Sequence, residues 1–197
     1  MELRDARSLS LVRLFKHDGG DWEPPDPRFR KLRVDPPAGS ESRFAVLYTA
    51  NTLPCVAAEC RILLPNQHDD RWTWRADLAA LYKVVRYEVT APSIFVRIDQ
   101  PMAESLGLGV GGVKFGGYGP YQAIALELFE RFGTVVHGLS WSSFHRNQPG
   151  RIYAAWHHHK ATVGLEIASP KPYAPLLTDP EWKAFLEANP SIEPAVS

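Results

Sequence analysis

The chain has 197 residues, 45% of them hydrophobic, and its 22 basic and 22 acidic residues give a formal net charge of zero. This length and composition suffice for the core of one domain, whereas the balanced charge argues against direct nucleic-acid binding through a broad basic surface. No apolar run approaches the roughly 18 residues that a membrane span needs, and the charged start MELRDARS is unlike a secretory signal. The sequence therefore predicts a cytoplasmic protein that does not contact the membrane.

A first strand is predicted over Ser8–Lys16, and it carries Arg13 among leucine, valine and phenylalanine side chains. Arginine keeps its charge when it is buried, so Arg13 is either a charge at a sheet edge or a contact for an anion. The next segment, residues 18–42, is rich in glycine, proline and charge, which predicts a long surface loop with one short strand at Phe29–Val34. Loops of this length are often functional.

A strand over Phe44–Thr49 leads into a helix that carries Glu59. Pro54 suits the first turn of that helix, which is predicted to continue to about Leu64. At helical spacing Glu59 lies inside an otherwise apolar face. Such an acid either reaches the rim, pairs with an arginine such as Arg61, or has a functional role.

The segment Gly107–Gly119 is dense in glycine and contains the spacing G-x-G-x-x-G at Gly107, Gly109 and Gly112. A Rossmann-type dinucleotide site needs a strand before the first glycine and a helix that starts at the loop. Here the preceding residues, Pro101–Leu106, have helical character, so that site is not expected. A loop that covers a pocket is the preferred interpretation, and an ordinary cluster of turns is the alternative.

Two further helices and several strands follow. Proline in the first turn and Gly133 after the last predict a helix over Pro120–Phe132. Asp179 as cap, followed by a proline and an acid, predicts a terminal helix to about Ala188. The remaining strands are predicted over Lys83–Thr90, Ser93–Ile98, Thr134–Trp141, Arg151–Trp156 and Val163–Ile167.

These elements predict a mixed α+β fold, because strands and helices do not alternate regularly. The expected architecture is a single mixed or antiparallel β-sheet core with flanking helices. The whole chain, residues 1–197, is predicted to be one domain, with its core at about 8–168 and a C-terminal helix and tail at 169–197.

Five side chains from separate elements form a coherent set for chemistry: Arg13, Arg43, Tyr48, Glu59 and Ser143. Arginine can hold a pyrophosphate with two parallel hydrogen bonds, and a carboxylate can stabilise an oxocarbenium-like sugar. The set therefore suits an anionic substrate whose reaction generates positive charge. Spacing alone does not establish that the five side chains meet.

Other constellations are less well supported. In a continuing strand His157 and His159 would share a face, but no acid or cysteine with ligand spacing accompanies the histidine run, so no metal is predicted. A serine–histidine–acid triad is also disfavoured, because no G-x-S-x-G elbow occurs.

The same residues make the sequence resemble the RES domain, a bacterial family named for an arginine, a glutamate and a serine. The likeness runs from about Val12 to Trp156, although Leu14 stands where the family often has tyrosine. In the last matching segment, Ser140 and Ser142 are alternatives to Ser143 as the serine of the family pattern. The matching residues are Arg13 in VRLF, Arg43-Phe44, Leu47-Tyr48-Thr49-Ala50, Glu59 in VAAEC, and Gly138, Leu139, Trp141 and Ser143.

This resemblance implies an ADP-ribosyltransferase-like fold and the toxin of a toxin–antitoxin pair. Such a toxin would use NAD⁺ as its substrate, without a metal, and cleave the bond between nicotinamide and ribose. The expected partner is a cognate antitoxin, a small helical protein with a helix-turn-helix part. The acceptor of ADP-ribose stays open: water, phosphate or a protein side chain. A mono-ADP-ribosyltransferase acting on one host protein is the alternative, and a non-catalytic binding module is the second.

The resemblance also assigns roles to the matched residues. Arg13 and Arg43 are expected to bind the pyrophosphate or the nearby ribose, and Tyr48 to pack on the ribose next to nicotinamide. Glu59 is expected to contact the ribose hydroxyl groups and stabilise the positive charge that develops as nicotinamide leaves. Ser143 would position the substrate or Glu59. The catalytic set is thus Glu59, Arg13 and Ser143, and the NAD⁺-binding set is Arg13, Arg43 and Tyr48.

Overall fold

An eight-stranded mixed sheet forms the centre of the protein in a computed structural model, which describes residues 1–65, 72–99, 117–143 and 150–195. A three-stranded sheet lies apart from it. The strands are β1 (Glu2–Arg4), β2 (Ser10–Phe15), β3 (Val46–Ala50), β4 (Leu63–Pro65), β5 (Trp72–Trp74), β6 (Lys83–Val89), β7 (Ser93–Arg97), β8 (Gly138–Ser142), β9 (Arg151–Trp156), β10 (Leu165–Ile167) and β11 (Glu193–Pro194).

Few helices accompany these strands, and the predicted α+β class is confirmed. The second small sheet was not predicted. No helix in the described ranges is long and apolar enough to cross a bilayer. The α-helices are α1 (Leu53–Glu59), α2 (Ala76–Ala79), α3 (Gly119–Phe132) and α4 (Pro180–Ala188), and 3₁₀ turns occur at Pro27–Phe29, His157–His159 and Leu176–Thr178.

The central sheet is split between two of its middle strands. Its order is β1-β7-β8-β9-β3-β2-β6-β10, with only β7 and β8 parallel. Strand β2 pairs with β6 along its whole length, but with β3 only at Val12 and Ala50. Beyond that point the two strands diverge, and backbone groups that would pair across a continuous ladder need other partners.

Helix α1 ends earlier than predicted. The expected helix reached about Leu64, but the structure ends it at Glu59 and places Arg61 in the left-handed region, with φ of 57°. The amide of Ile62 bonds to the carbonyl of Ala57 at 2.9 Å, and that of Arg61 to Ala58 at 2.9 Å. This is a Schellman ending, which usually has glycine where Arg61 stands. The chain then turns into β4.

The predicted short strand at Phe29–Val34 is also wrong. A 3₁₀ turn occupies Pro27–Phe29, capped by Asp26, whose Oδ1 accepts a hydrogen bond from the amide of Arg28 at 3.0 Å. The loop then crosses the open side of β2 and β3. The helical piece predicted at Pro101–Leu106 and most of the glycine-rich segment lie outside the described residues.

The C-terminal helix is tied to the rest of the fold. Asp179 caps α4 as predicted, accepting hydrogen bonds from the amides of Glu181 and Trp182. The same carboxylate binds Arg86 of β6 through two hydrogen bonds of 2.9 and 2.8 Å. Glu181 reaches further, because its Oε1 accepts a hydrogen bond of 3.3 Å from the amide of Leu53, the first residue of α1.

Candidate functional site

A cavity of about 290 Å³ opens where β2 and β3 diverge. The two strands form one wall, α1 forms the second, and the loop of residues 25–35 lies across the third. The aromatic side chains of Trp141, in β8, and Tyr118, the residue before α3, complete the lining of the cavity. The lining side chains that matter here are Arg13, Arg33, Asp35, Tyr48, Glu59 and Trp141.

Arg13 fills the gap between the separated strands. Its Nε donates to the carbonyl of Gly20 at 2.8 Å, and its Nη1 donates to the carbonyl of Tyr48 at 2.9 Å. The guanidinium thus supplies donors where a neighbouring strand would normally do so. No described carboxylate pairs with it within ion-pair distance, and burial lowers the pKa of Arg13. A cation without such a partner favours an anion in the adjoining cavity.

Tyr48 leaves β3 on the cavity side, with its ring edge-on to that of Trp141 at 6.5 Å between centroids. Its hydroxyl oxygen accepts a hydrogen bond of 3.1 Å from the amide of Val34. The buried carboxyl group of Asp35 lies near the same phenol. Burial raises the pKa of the Asp35 carboxyl and that of the Tyr48 phenol, so the phenol stays protonated at neutral pH.

Glu59 is the last helical residue of α1 and lines the cavity opposite these groups. Ser143, directly after β8, donates from its Oγ to Oε1 of Glu59 at 3.1 Å. This bond holds one carboxylate oxygen in a defined direction. The acid and the serine predicted from distant parts of the sequence are therefore in direct contact.

The two competing serines are engaged elsewhere. The Oγ of Ser140 donates to Glu2 at 2.7 Å, and that of Ser142 lies 3.3 Å from Asp99. Alternate residues of a strand point to opposite faces of the sheet, and Trp141 between these serines is the one that lines the cavity. Among the three serines, Ser143 is the one that contacts Glu59.

The second predicted arginine does not reach the cavity. Arg43 lies at the surface, where its Nη2 pairs with Oε1 of Glu130 at 2.8 Å and both side chains are about half exposed. Arg33 occupies the cavity wall instead, with its guanidinium 5.3 Å from the ring centre of Tyr121 and 5.8 Å from that of Tyr118. Sequence reasoning missed Arg33 because it lies in an irregular loop.

Comparison with known proteins supports the fold. Neither the protein-family models nor the curated proteins give a match. Among solved structures, the chain is similar to a chain in the crystal structure of the M. tuberculosis MbcT–MbcA toxin–antitoxin complex, with a TM-score of 0.55 and 15% identity over 84% of both chains. The two chains share a fold. At this identity the likeness concerns the fold and does not carry an activity with it.

A thiolate nucleophile does not fit the chemistry of the cavity. Cys60 lines it, but burial raises its pKa to about 11, and burial raises that of Cys55 to about 12. Both therefore stay as thiols, which are poor nucleophiles. In the part of the chain that the structure describes, no three acid, histidine or cysteine side chains are grouped to hold a metal. The histidine run forms a 3₁₀ turn and does not continue β9.

In this shared fold the cavity thus combines a cation and a phenol on the wall formed by β2 and β3 with an acid on the wall formed by α1. The guanidinium of Arg13 can contact an anionic group, and the ring of Tyr48 can stack on a planar or sugar group. The carboxylate of Glu59, oriented by Ser143, can stabilise a developing positive charge. These are complementary requirements of one kind of substrate, which is negatively charged at one end and becomes cationic at the other.

Proposed function

We propose that this chain is the toxin of a toxin–antitoxin pair and that it cleaves the nicotinamide–ribose bond of NAD⁺. The observation that carries the proposal is the convergence of Arg13, Tyr48 and Glu59 on one cavity, with Ser143 bonded to the acid. The fold shared with a chain of a toxin–antitoxin complex supports the toxin role.

The proposed reaction replaces the bond between ribose C1′ and the nicotinamide nitrogen by a bond between C1′ and an acceptor oxygen. The bond between ribose C1′ and the nicotinamide nitrogen breaks, and its electron pair leaves with nicotinamide, which becomes neutral. Positive charge develops on the ribose, and the carboxylate of Glu59 stabilises it. A water oxygen then bonds to C1′ and releases a proton, so the products are ADP-ribose, nicotinamide and a proton. With phosphate as acceptor, ADP-ribose phosphate replaces ADP-ribose.

The size of the cavity suits half of this substrate. A volume of about 290 Å³ is at the lower limit of ligand pockets, which hold roughly 300 to 1,000 Å³. It accommodates the nicotinamide and its ribose, while the pyrophosphate lies near Arg13 and the adenosine half extends over the rim. Two side chains of that rim, Phe29 and Leu32, are 63% and 51% exposed.

The rim also suits the expected antitoxin. Residues 28–33, RFRKLR, combine the exposed basic side chains of Arg28 and Lys31 with the exposed Phe29 and Leu32, which lie at the mouth of the cavity. A partner segment that carries both acidic and apolar side chains would complement this surface and cover the mouth. Small helical antitoxins with a helix-turn-helix part are the partners that we propose for it.

The test is NAD⁺ turnover by the purified protein, with products identified by mass in the presence and absence of phosphate and of cell lysate. Free ADP-ribose indicates hydrolysis, its phosphate indicates phosphorolysis, and a mass increase on a lysate protein indicates ADP-ribosyl transfer. Glu59→Gln keeps the shape of the side chain and removes its charge, so turnover should fall by about 100-fold or more. The matched control is Glu130→Gln, because Glu130 is a surface acid paired with Arg43 outside the cavity.

Two outcomes contradict the proposal. If Glu59→Gln folds and turns over NAD⁺ at the rate of the unchanged protein, Glu59 has no part in the reaction. If the unchanged protein releases no nicotinamide with any acceptor, the proposed activity is wrong, and the cavity belongs to a non-catalytic binding module.

A further inference from the structure

Gly150 lies where the start of β9 meets the first turn of α1, and the space there is too small for a side chain. A β-carbon at position 150 would lie 2.7 Å from Oγ1 of Thr52, 2.7 Å from the β-carbon of Cys55 and 3.1 Å from its Sγ. Non-bonded carbon atoms pack at about 3.5 to 4.0 Å. The backbone of Gly150 also has φ of 151°, which favours glycine. The absence of a side chain therefore lets β9 and α1 approach this closely.

This close contact is one helical turn away from Glu59. Cys55 and Glu59 are four residues apart in α1, so they lie on the same face of the helix. Gly150 is also joined to Ser143, because its carbonyl accepts a hydrogen bond of 3.4 Å from the amide of Ser143. Ser143 in turn donates from its Oγ to Oε1 of Glu59 at 3.1 Å. Gly150 thus contacts both the helix that carries the acid and the residue that supplies the hydroxyl group.

The residue after Gly150 is held firmly, so the start of β9 cannot move away from α1 without losing hydrogen bonds. The amide of Arg151 donates to Oδ1 of Asn51 at 2.7 Å, and the amide of Asn51 donates to the carbonyl of Arg151 at 3.1 Å. The guanidinium of Arg151 pairs with Asp99 at 3.1 Å. A side chain at position 150 would therefore either break these contacts or displace the first turn of α1.

We propose that Gly150 is a positioning residue of the NAD⁺ site, because it lets the ends of β8 and β9 approach α1 closely enough for Ser143 to reach Glu59. The two side chains are 3.1 Å apart, so a displacement of about 1 Å would break their hydrogen bond. Glu59 would then keep its charge but lose its fixed direction. The part that concerns NAD⁺ rests on the function proposed above, whereas the close packing of Gly150 does not.

The experiment is a double-mutant cycle with Gly150→Ala, Ser143→Ala and the double variant. We expect each single variant to lower kcat for NAD⁺ cleavage about 10-fold with KM within about twofold, because an oriented Glu59 acts on charge that develops in the transition state. Since Gly150 acts through Ser143, the double variant should show about the same 10-fold loss. A loss of about 100-fold in the double variant, or a change in KM in place of kcat, would overturn the proposal.

Gly39→Ala is the matched control. Gly39 also has a positive φ, of 85°, but a β-carbon there would meet no described atom within 4 Å apart from its chain neighbours. The control therefore adds the same methyl group and backbone strain at a residue that does not line the cavity. We expect its kcat and KM to equal those of the unchanged protein. A 10-fold loss of kcat in the control would show that backbone strain alone is sufficient, and this would overturn the role of Gly150.

A compensating variant keeps the test decisive if Gly150→Ala does not fold. Thr52→Ala combined with Cys55→Gly removes the three side-chain atoms that a methyl group at position 150 would meet. Adding Gly150→Ala to this background should give a folded protein whose kcat is within about threefold of the background. A triple variant that folds no better than Gly150→Ala, or whose kcat stays about 10-fold below the background, would show that contact with α1 is not what requires glycine here.

A second measurement, amide hydrogen exchange at residue 143, is independent of NAD⁺. This amide donates to the carbonyl of Gly150, so its exchange should be about 10-fold faster in Gly150→Ala and unchanged in Gly39→Ala. In Ser143→Ala the backbone bond remains, and exchange should stay within about threefold. Unaltered exchange in a folded Gly150→Ala protein overturns the close packing, even if NAD⁺ turnover is established. Conversely, faster exchange supports the packing even if the unchanged protein does not consume NAD⁺.

Discussion

Replacing Arg13 by lysine should separate its structural from its binding role. Arg13 donates to two backbone carbonyls, those of Gly20 and Tyr48, from two different nitrogen atoms. A lysine ammonium is a single point and can satisfy one of them. One hydrogen bond to a charged donor is then lost, which costs about 2 kcal/mol. With a urea dependence of about 2 kcal/mol per M, the unfolding midpoint should fall by about 1 M.

The assay is urea unfolding followed by tryptophan fluorescence, with Arg28→Lys as control. Arg28 is 74% exposed and lies 3.6 Å from Asp26, so its replacement should change the free energy of unfolding by less than about 0.5 kcal/mol. A folded Arg13→Lys protein whose midpoint moves by less than about 0.2 M would refute the view that this side chain bridges the split in the sheet. Because Arg13→Lys is expected to lower the stability of the protein, any loss of NAD⁺ binding by this variant should be measured on the fraction that remains folded.

Three further predictions follow from contacts outside the cavity. Arg43→Ala should leave the KM for NAD⁺ within about twofold in steady-state assays, because an exposed pair of this kind contributes little. Asp179→Ala should lower the free energy of unfolding by about 3 kcal/mol in urea, since it removes both a helix cap and the buried partner of Arg86. Burial lowers the pKa of His157 from 6.5 to about 3, so the folded protein keeps it neutral while the unfolded chain takes up a proton below pH 6.5. Stability should thus fall as the pH drops from about 6.5 to about 3, by about 2 kcal/mol at pH 5, and His157→Leu should remove this part of the pH profile.

Elements with strong local signals could be predicted closely. Helix α3 was expected over Pro120–Phe132 and occupies Gly119–Phe132, and the cap of α4 at Asp179 was expected from its sequence. Helix α1 was predicted too long, because its Schellman ending uses Arg61 where the usual signal is glycine. A residue that adopts the left-handed region without being glycine leaves no mark in the sequence.

The residues of the candidate site also divide into those that a local sequence pattern marks and those that it does not. Glu59 was recognisable because a lone acid interrupts a periodic apolar face, and Arg13 because it interrupts an apolar strand. Asp35 and Arg33 were missed, since irregular loops have no period against which a residue can be out of place. Ser143 could not be separated from its two neighbours until the structure placed Trp141 on the cavity side of β8.

The C-terminal helix makes the site depend on residues that never touch it. Glu181 binds the amide at the start of α1, and Glu59 is at the other end of that seven-residue helix. A shortened protein that lacks α4 would lose this bond together with the Asp179–Arg86 pair. Truncation at this end is therefore expected to shift the acid, so expression boundaries and tags chosen near residue 179 belong among the variables of any activity measurement.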